Sequence, residues 1–261
     1  MIDVDIGTTS TKSVLYNEHG QFVMKHNIGY DLHTPNVDVS EENPDEIFDA
    51  VLMTVKYIVR ESGVAKEDIK LISFSAQMHS LVAMDAQYQR LTENITWADN
   101  RANRFANLIE NEHNGFELYQ RTGTPIHPMS PLSKVFWMKH EEPEIFKQTS
   151  MFADIKTYIF YQLYEQFVID YSMASATGMF NLEQLTWDDE ALKLLGINNS
   201  QLPNPVPTTH ILKGMKKRYA TLMGIDENTP VVVGASDDVL SNLGVNSYHL
   251  GEVAVTIGTS G

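Results

Sequence analysis

Cysteine is absent from all 261 residues, so the chain forms no disulfide, builds no thiolate metal site and offers no thiol nucleophile. Positive charge is scarce: 19 Lys and Arg stand against 34 Asp and Glu, a formal net charge of −15. Nucleic acid and anionic membrane both need basic surface to offset their own charge, so neither is expected as a partner. The densest basic cluster, Lys213, Lys216, Lys217 and Arg218, reads as a solvated helix face. No apolar run reaches the length of a membrane span, and no basic segment followed by an apolar one marks a signal peptide. A cytoplasmic protein is expected. Motifs are missing too: no G-x-x-x-x-G-K-[ST] loop, no G-x-G-x-x-G after a strand, no H-E-x-x-H and no G-x-S-x-G elbow. Two common nucleotide folds, zinc hydrolysis and serine hydrolysis drop out, leaving carboxylates, glycines and hydroxyls to carry any chemistry.

The run Val4-Asp5-Ile6-Gly7-Thr8-Thr9-Ser10-Thr11-Lys12 returns in part as Val255-Thr256-Ile257-Gly258-Thr259-Ser260-Gly261. In each, an apolar strand enters a turn in which glycine frees the backbone and hydroxyl residues cluster donors, a suitable setting for an anion. Two such turns suggest a phosphate gripped from both sides. Only the first carries a carboxylate, Asp5, where the second has Thr256.

A composition 43% hydrophobic can fill the core of one large domain or two small ones. Residues 2–6, 12–17 and 21–27 read as an antiparallel meander. Asn43-Pro44-Asp45-Glu46 places a cap, a proline at the first helical position and two acids ahead of Ile47, Val51, Val55, Ile58 and Val59 at helical spacing, and Gly63 ends that helix. Further strands are predicted at 69–74, 81–84, 95–97, 230–234 and 253–257, and helices at 102–113, 152–166, 212–223 and from about Asp238. The proline-rich stretch 123–131 is read as a loop and 203–207 as a break. Strands alternating with helices indicate an α/β layer fold.

In Gly234-Ala235-Ser236-Asp237-Asp238 a buried strand ends in small residues and delivers two acids to the start of a helix, where ligands of α/β sheets sit. One acid can cap the helix while the other faces the cleft and accepts a proton from a hydroxyl attacking phosphorus.

DIGTTSTK at the start, AQMH at 76–79, WADNR at 97–101, ASATGMFN at 174–181, LP at 202–203, GASDD at 234–238 and VTIGTSG at the end follow one another in the order of the FGGY carbohydrate kinases. The chain resembles that family along its whole length, and the loop 124–132 most resembles the branch that phosphorylates gluconate. The resemblance implies an α/β, ribonuclease H-like (actin-like ATPase) fold, a mixed sheet flanked by helices, with sugar and ATP meeting between two similar domains. Residues 1–252 would form the N-terminal domain, and 253–261 would open a second, ATP-binding domain that is otherwise missing. By itself the fragment is expected to be inactive, and the apolar surface so uncovered allows for a homodimer.

Carried onto matching positions, the resemblance makes Asp237 the catalytic base, with Asp238 in place of the usual amide or small residue. Asp5 would help hold Mg²⁺, through water because magnesium dehydrates reluctantly. Gly7, Thr8 and Thr9 would meet the γ-phosphate of ATP, and Gly258 and Thr259 the nucleotide phosphates from the opposite side. Met78 and His79 match the sugar-contacting pair of the family, although a lone His after a strand is otherwise more often structural. Trp97, Asp99 and Arg101 offer a flat face, an acceptor and a fixed cation to a polyhydroxylated chain bearing a carboxylate. Chemistry alone favours Arg101 for the gluconate carboxylate, because a guanidinium bonds it bidentately, with His127 as a second contact. Another sugar or polyol such as xylulose, and a non-catalytic sugar-binding actin-like protein, are the competing readings.

Overall fold

The computed structural model describes residues 1–255. Strands β1 (Ile2–Ile6), β2 (Ser10–Tyr16) and β3 (Phe22–Gly29) form the expected meander. In β1 the side chains alternate as period-2 sterics require: Ile2, Val4 and Ile6 are fully buried, and Asp3 and Asp5 lie on the opposite face. Helix α1 (Pro44–Ser62) starts and stops where its signals stand. Asn43 accepts from the Asp45 N–H at 2.9 Å, Pro44 takes the first helical position, and Gly63 ends the helix in the left-handed region. Its apolar stripe, Ile47, Val51, Val55 and Ile58, is buried against β1, β2 and β3.

Strand β4 (Ile72–Ala76), helices α2 (Pro131–Glu141) and α3 (Ile155–Tyr164), strands β5 (Ile211–Leu212) and β6 (Val231–Ser236), and helix α4 (Asp237–Gly244) complete the frame. The six strands lie in the order β5-β6-β4-β1-β2-β3. β1, β4 and β6 run parallel, while β2, β3 and β5 are antiparallel to their neighbours. This mixed sheet with its helices is the ribonuclease H-like arrangement that the sequence predicts.

Register places the site. Ile6 pairs with Ala76 and Ala76 with Ser236, so β1, β4 and β6 end level, and Gly7, Gln77 and Asp237 leave the sheet side by side. The level ending needs an irregularity in β6, where the pairing with β4 shifts between Val232 and Ala235. Gly234 sits in that bulge at φ +68°, and a Cβ there would stand 1.8 Å from the Phe74 carbonyl oxygen.

Several predicted elements differ. Residues 152–166 are not one helix: Met151–Ala153 pairs as a strand with Val82–Met84, and Asp154, accepting from the Thr157 N–H at 2.8 Å, starts α3 only afterwards. The helix predicted at 212–223 is shorter, Lys217–Met223, because Ile211 and Leu212 pair with β6 and Gly214 turns the chain with a positive φ. The strand at 69–74 begins later, since Ile69 closes a short 3₁₀ turn. Asn204–Val206, inside the expected break, pairs in parallel with Val168–Asp170. Residues 253–255 carry no strand, and Gly258 and Thr259 lie outside the described residues. Among the described residues no helix is long and apolar enough to cross a membrane.

Gly234→Ala tests the register. Both the left-handed backbone and the 1.8 Å approach oppose the substitution, so a loss on the order of 3 kcal/mol or more is expected. Denaturant titration of the variant chain measures it, and a stability within 1 kcal/mol of the wild type, about the size of an ordinary substitution, would contradict the bulge.

Candidate active site

A cavity of about 350 Å³ opens over the level strand ends, lined by Thr8, Gln77, Met78, His79, Trp97, Met129, Asp237 and Asp238. Six residues singled out from the sequence meet there, Thr8, Met78, His79, Trp97, Asp237 and Asp238, drawn from the segments after three parallel strands and after Ile95.

Asp237 begins α4, and Ser236 caps that helix by accepting from the Val239 N–H at 3.4 Å. The capping role is thus filled by serine, and the Asp237 carboxylate faces the cavity with one oxygen accepting from the Asp238 N–H at 2.9 Å. Burial, and next the charges of Asp238 and Asp5, push its carboxyl up to about 6. At neutral pH it is ionised yet basic enough to take a proton.

On the facing wall, His79 holds its backbone at φ +63°, a costly conformation for a residue with a Cβ. Its ring Nδ1 lies 2.8 Å from the Ala176 carbonyl oxygen. A carbonyl only accepts, so Nδ1 carries the hydrogen and Nε2 is left as an acceptor. Burial, and then the Lys134 charge, lower the imidazole to about 4, so it stays neutral. Lys134 itself is fully buried in α2, donating to the carbonyls of His79 at 2.5 Å and Thr96 at 2.6 Å. One ammonium therefore ties together the backbone behind His79 and the backbone before Trp97. Burial brings it down to about 7.

Beneath the cavity the hydrogen bonds run in one direction. Trp97 Nε1 donates to Thr8 Oγ1 at 3.0 Å, Thr8 donates to Gln77 Oε1 at 3.1 Å, and Gln77 Nε2 donates to Glu42 at 2.8 Å. The Thr8 hydroxyl proton is thereby committed to Gln77, so Thr8 offers an anion its backbone N–H and not the O–H that the sequence suggests. Gly7 anchors the turn: its N–H donates to Ser10 and its carbonyl accepts from the Tyr30 hydroxyl at 2.5 Å. Thr9 is exposed next to it. Asp5 lies at the end of β1, partly exposed, accepting from Ser75 at 2.8 Å and Lys12 at 3.0 Å.

Three residues stand apart. Asp99 is buried, accepting from the Ser40 N–H and from Arg101. The Arg101 guanidinium is consumed by Asp99 and Glu41, lies over the Trp137 ring at 4.6 Å, and lines a different hollow with Arg104 and Glu141. Its assignment as carboxylate partner is corrected accordingly, because two carboxylates already satisfy it. His127 is exposed in the proline-rich loop, its Nδ1 accepting from the Met129 N–H at 3.2 Å, near the cavity but not lining it. Gln77, Met129 and Lys134 were missed by residue-level reading. Gln77 sat inside the AQMH motif and could have been found as the first residue past a strand end, whereas a buried lysine on a helix has no sequence mark.

The profile described as "FGGY family of carbohydrate kinases, N-terminal domain" matches residues 1–244. The gluconokinase of Bacillus subtilis (strain 168) is 53% identical over 261 residues, covering 100% of this chain and 50% of that protein. Among solved structures, a ligand-bound xylulose kinase from Lactobacillus acidophilus is 39% identical with a TM-score of 0.91, over 94% of this chain and 50% of its own. A gluconate kinase from Lactobacillus acidophilus is 38% identical with a TM-score of 0.90, over 95% and 50%. The chain spans about half the length of the curated relatives it matches.

Glu42 gives the site a pH dependence. The side chain is buried, accepts from Gln77 and Asn94, and has its Oε1 unpartnered, as is Asn94 Oδ1. Burial raises its carboxyl from 4.5 to about 7. A folded value above the unfolded one means that this stabilisation is complete below pH 4.5 and is lost as pH rises through about 7. The difference amounts to something on the order of 3 kcal/mol. Glu42→Gln supplies a neutral amide with both a donor and an acceptor. Melting temperatures measured from pH 5 to about 8 should fall for the wild type and stay flatter for the variant.

Proposed function

From a chain that belongs to the FGGY family of carbohydrate kinases, as its N-terminal domain, we propose an ATP-dependent kinase that transfers the γ-phosphoryl group to a terminal hydroxyl of D-gluconate. The observation that carries the reading is the single cavity in which Thr8 of the donor turn, the Met78-His79 pair, Trp97 and Asp237 converge. The choice of gluconate is supported by 53% identity to the Bacillus subtilis gluconokinase. Xylulose is the second reading, favoured by the xylulose kinase neighbour at 39% identity.

Asp237 takes the proton of the acceptor hydroxyl as its oxygen attacks the γ-phosphorus. The bond from that phosphorus to the β,γ-bridging oxygen breaks, and ADP leaves with the electron pair. His79 Nε2 accepts from a sugar hydroxyl, and the Trp97 ring and Met129 supply apolar surface. Among the described residues no lysine or arginine lines the cavity, so a sugar acid enters with its carboxylate away from Asp237 and Asp238 and its hydroxylated end toward them. Attack by the terminal hydroxyl follows from that orientation.

Among the described residues no group of three or more His, Cys, Asp or Glu could hold a metal. Asp5, partly exposed and with its charge felt at Asp237, fits a hydrated magnesium held by one or two carboxylates together with phosphate oxygens. When bound, Mg²⁺ would neutralise charge on the phosphates. The Thr8 backbone N–H would meet the γ-phosphate, since the Gly7 N–H that the family resemblance assigned to it already donates to Ser10; the expected second turn, Gly258 and Thr259, lies outside the described residues. A cytoplasmic location, where ATP is at hand, goes with this reading.

Coupled ATP turnover by the full-length protein with gluconate, xylulose, ribulose, glycerol and no sugar tests this reading. Gluconate should support the highest kcat/KM, and Asp237→Asn should lower kcat by about 10²- to 10⁴-fold. Since protonation disables the base, kcat/KM should fall as pH drops below about 6. Turnover that is independent of sugar, or unaffected in the variant, would refute the assignment.

A further inference from the structure

The motif ASATGMFN is preceded by Asp170-Tyr171-Ser172, a segment with no role in the chemistry above. It begins a short helix, Tyr171–Ser175, that packs against β6. Its position matters because of how β6 ends. On the side facing β5, the β6 ladder covers only Val231 and Val232. The next two amides, of Val233 and Gly234, donate to the loop carbonyls of His210 and Thr208 at 3.0 and 3.1 Å. Beyond them, among the described residues, the sheet offers no backbone partner on that side, two residues short of Asp237.

Side chains take over at that point. The Ala235 carbonyl accepts from Lys156 Nζ at 3.2 Å, and the Ser236 N–H donates to Ser172 Oγ at 2.9 Å. These two groups belong to one peptide unit, which is thus held at both ends. Both holders are fixed by the same carboxylate. Ser172 donates its hydroxyl proton to Asp170 Oδ1 at 2.5 Å, so its lone pair is left to face Ser236, while Lys156 Nζ stands 2.6 Å from Asp170 Oδ2. Lys156 and Asp170 are almost wholly buried, at 1% and 0% side-chain exposure. Asp170 Oδ1 also accepts from the N–H groups of Ser172 and Met173, which fixes the carboxylate in turn. A buried ion pair seldom adds net stability over an apolar pair of the same volume. Its use here is geometric.

We propose that Ser172, backed by the buried Asp170–Lys156 pair, is a positioning residue for the reaction: it replaces the missing strand at the end of β6 and sets the direction in which Asp237 leaves the sheet. The inference rests on Asp237 being the base. Ser172 touches neither the cavity nor Asp237, so it acts only through the Ala235–Ser236 peptide.

Removing Lys156 or Asp170 would strand a buried charge and unfold the region, so Ser172 is the residue to change. It is half-buried, and Ser172→Thr keeps the hydroxyl while Ser172→Ala removes it. In the full-length protein, Ser172→Ala should lower kcat about ten- to hundredfold, because small misplacements of a reacting group are costly, while the KM for sugar and for ATP stays within about twofold. Ser172→Thr should recover most of the loss. Hydrogen exchange at the Ser236 amide should accelerate by about tenfold or more in the alanine variant and not in the threonine variant. Unchanged kcat and exchange in Ser172→Ala, or a loss that threonine fails to restore, overturns the proposal. If the wild type itself turns over no ATP with any sugar, it is the functional reading that fails, and the exchange arm still decides whether Ser172 holds the peptide.

Discussion

Everything at this site depends on three parallel strands ending at the same level. Because β1, β4 and β6 pair as Ile6–Ala76–Ser236, the residues that follow them emerge together, and side chains distant in sequence are first brought to one edge by backbone register. The turn after Gly7, the Met78-His79 pair and Asp237 owe their meeting to it. The constraint is narrow: without the bulge at Gly234, β6 would shift its side chains to opposite faces, since a slip of one residue inverts a strand. Ser236 would then no longer be free to cap α4, and Asp237 would be drawn into the capping role that any acid after a strand can fill.

The second level of organisation is buried charge spent on backbone. Lys134 and Lys156 lie on different helices, and each is sunk out of solvent and aimed at carbonyls next to the cavity: Lys134 at His79 and Thr96, Lys156 at Ala235. Desolvating an ammonium costs several kcal/mol, a cost with no return in hydrophobic packing. What these lysines provide is direction. Loops that leave a sheet have lost the ladder that fixed them, and a multi-donor ammonium at their base replaces it. Lys156 has a carboxylate partner and Lys134 has none within hydrogen-bonding distance. The difference shows in Lys134, whose ammonium is brought down to about 7 by burial, and in His79, which its charge helps to keep neutral.

The frame was legible in the sequence because it is written in local signals. Asn43, Pro44 and Gly63 bounded α1, and the alternation of Ile2, Val4 and Ile6 marked β1. Where local signals conflicted, the reading slipped: apolar spacing ran on through 152–166, and only pairing with Val82–Met84 separates the strand at 151–153 from the helix after Asp154. Of the site, the residues that follow strand ends were legible, as Asp237, Met78 and Thr8 show. The Arg101 guanidinium is claimed by Asp99, two residues before it, and by Glu41, sixty residues away and out of reach of sequence reading. Long-range polar pairing is the information that composition and periodicity do not hold. It also hid the direction of the Thr8 hydroxyl and the role of Lys134.

The electrostatics of the cavity point in a direction opposite to its proposed cargo. Asp237 and Asp238 line the cavity on a chain whose formal charge is −15, and after burial the charges of Asp238 and of the nearby Asp5 raise Asp237. A triphosphate brought to this mouth alone would be repelled, and it would raise Asp237 further, toward the protonated state in which it is useless as a base. Lys12 offsets part of Asp5, and the N-terminus of α4 adds a fraction of a positive charge, but neither approaches the charge of the phosphates. On the proposed reading, a nucleotide at this mouth would therefore come with its own divalent cation. Held near Asp5, such a cation would offset the charges of Asp238 and Asp5 that, after burial, raise Asp237. The acidity of the site, a liability for a bare phosphate, would thus favour a metal-bound nucleotide over the free one.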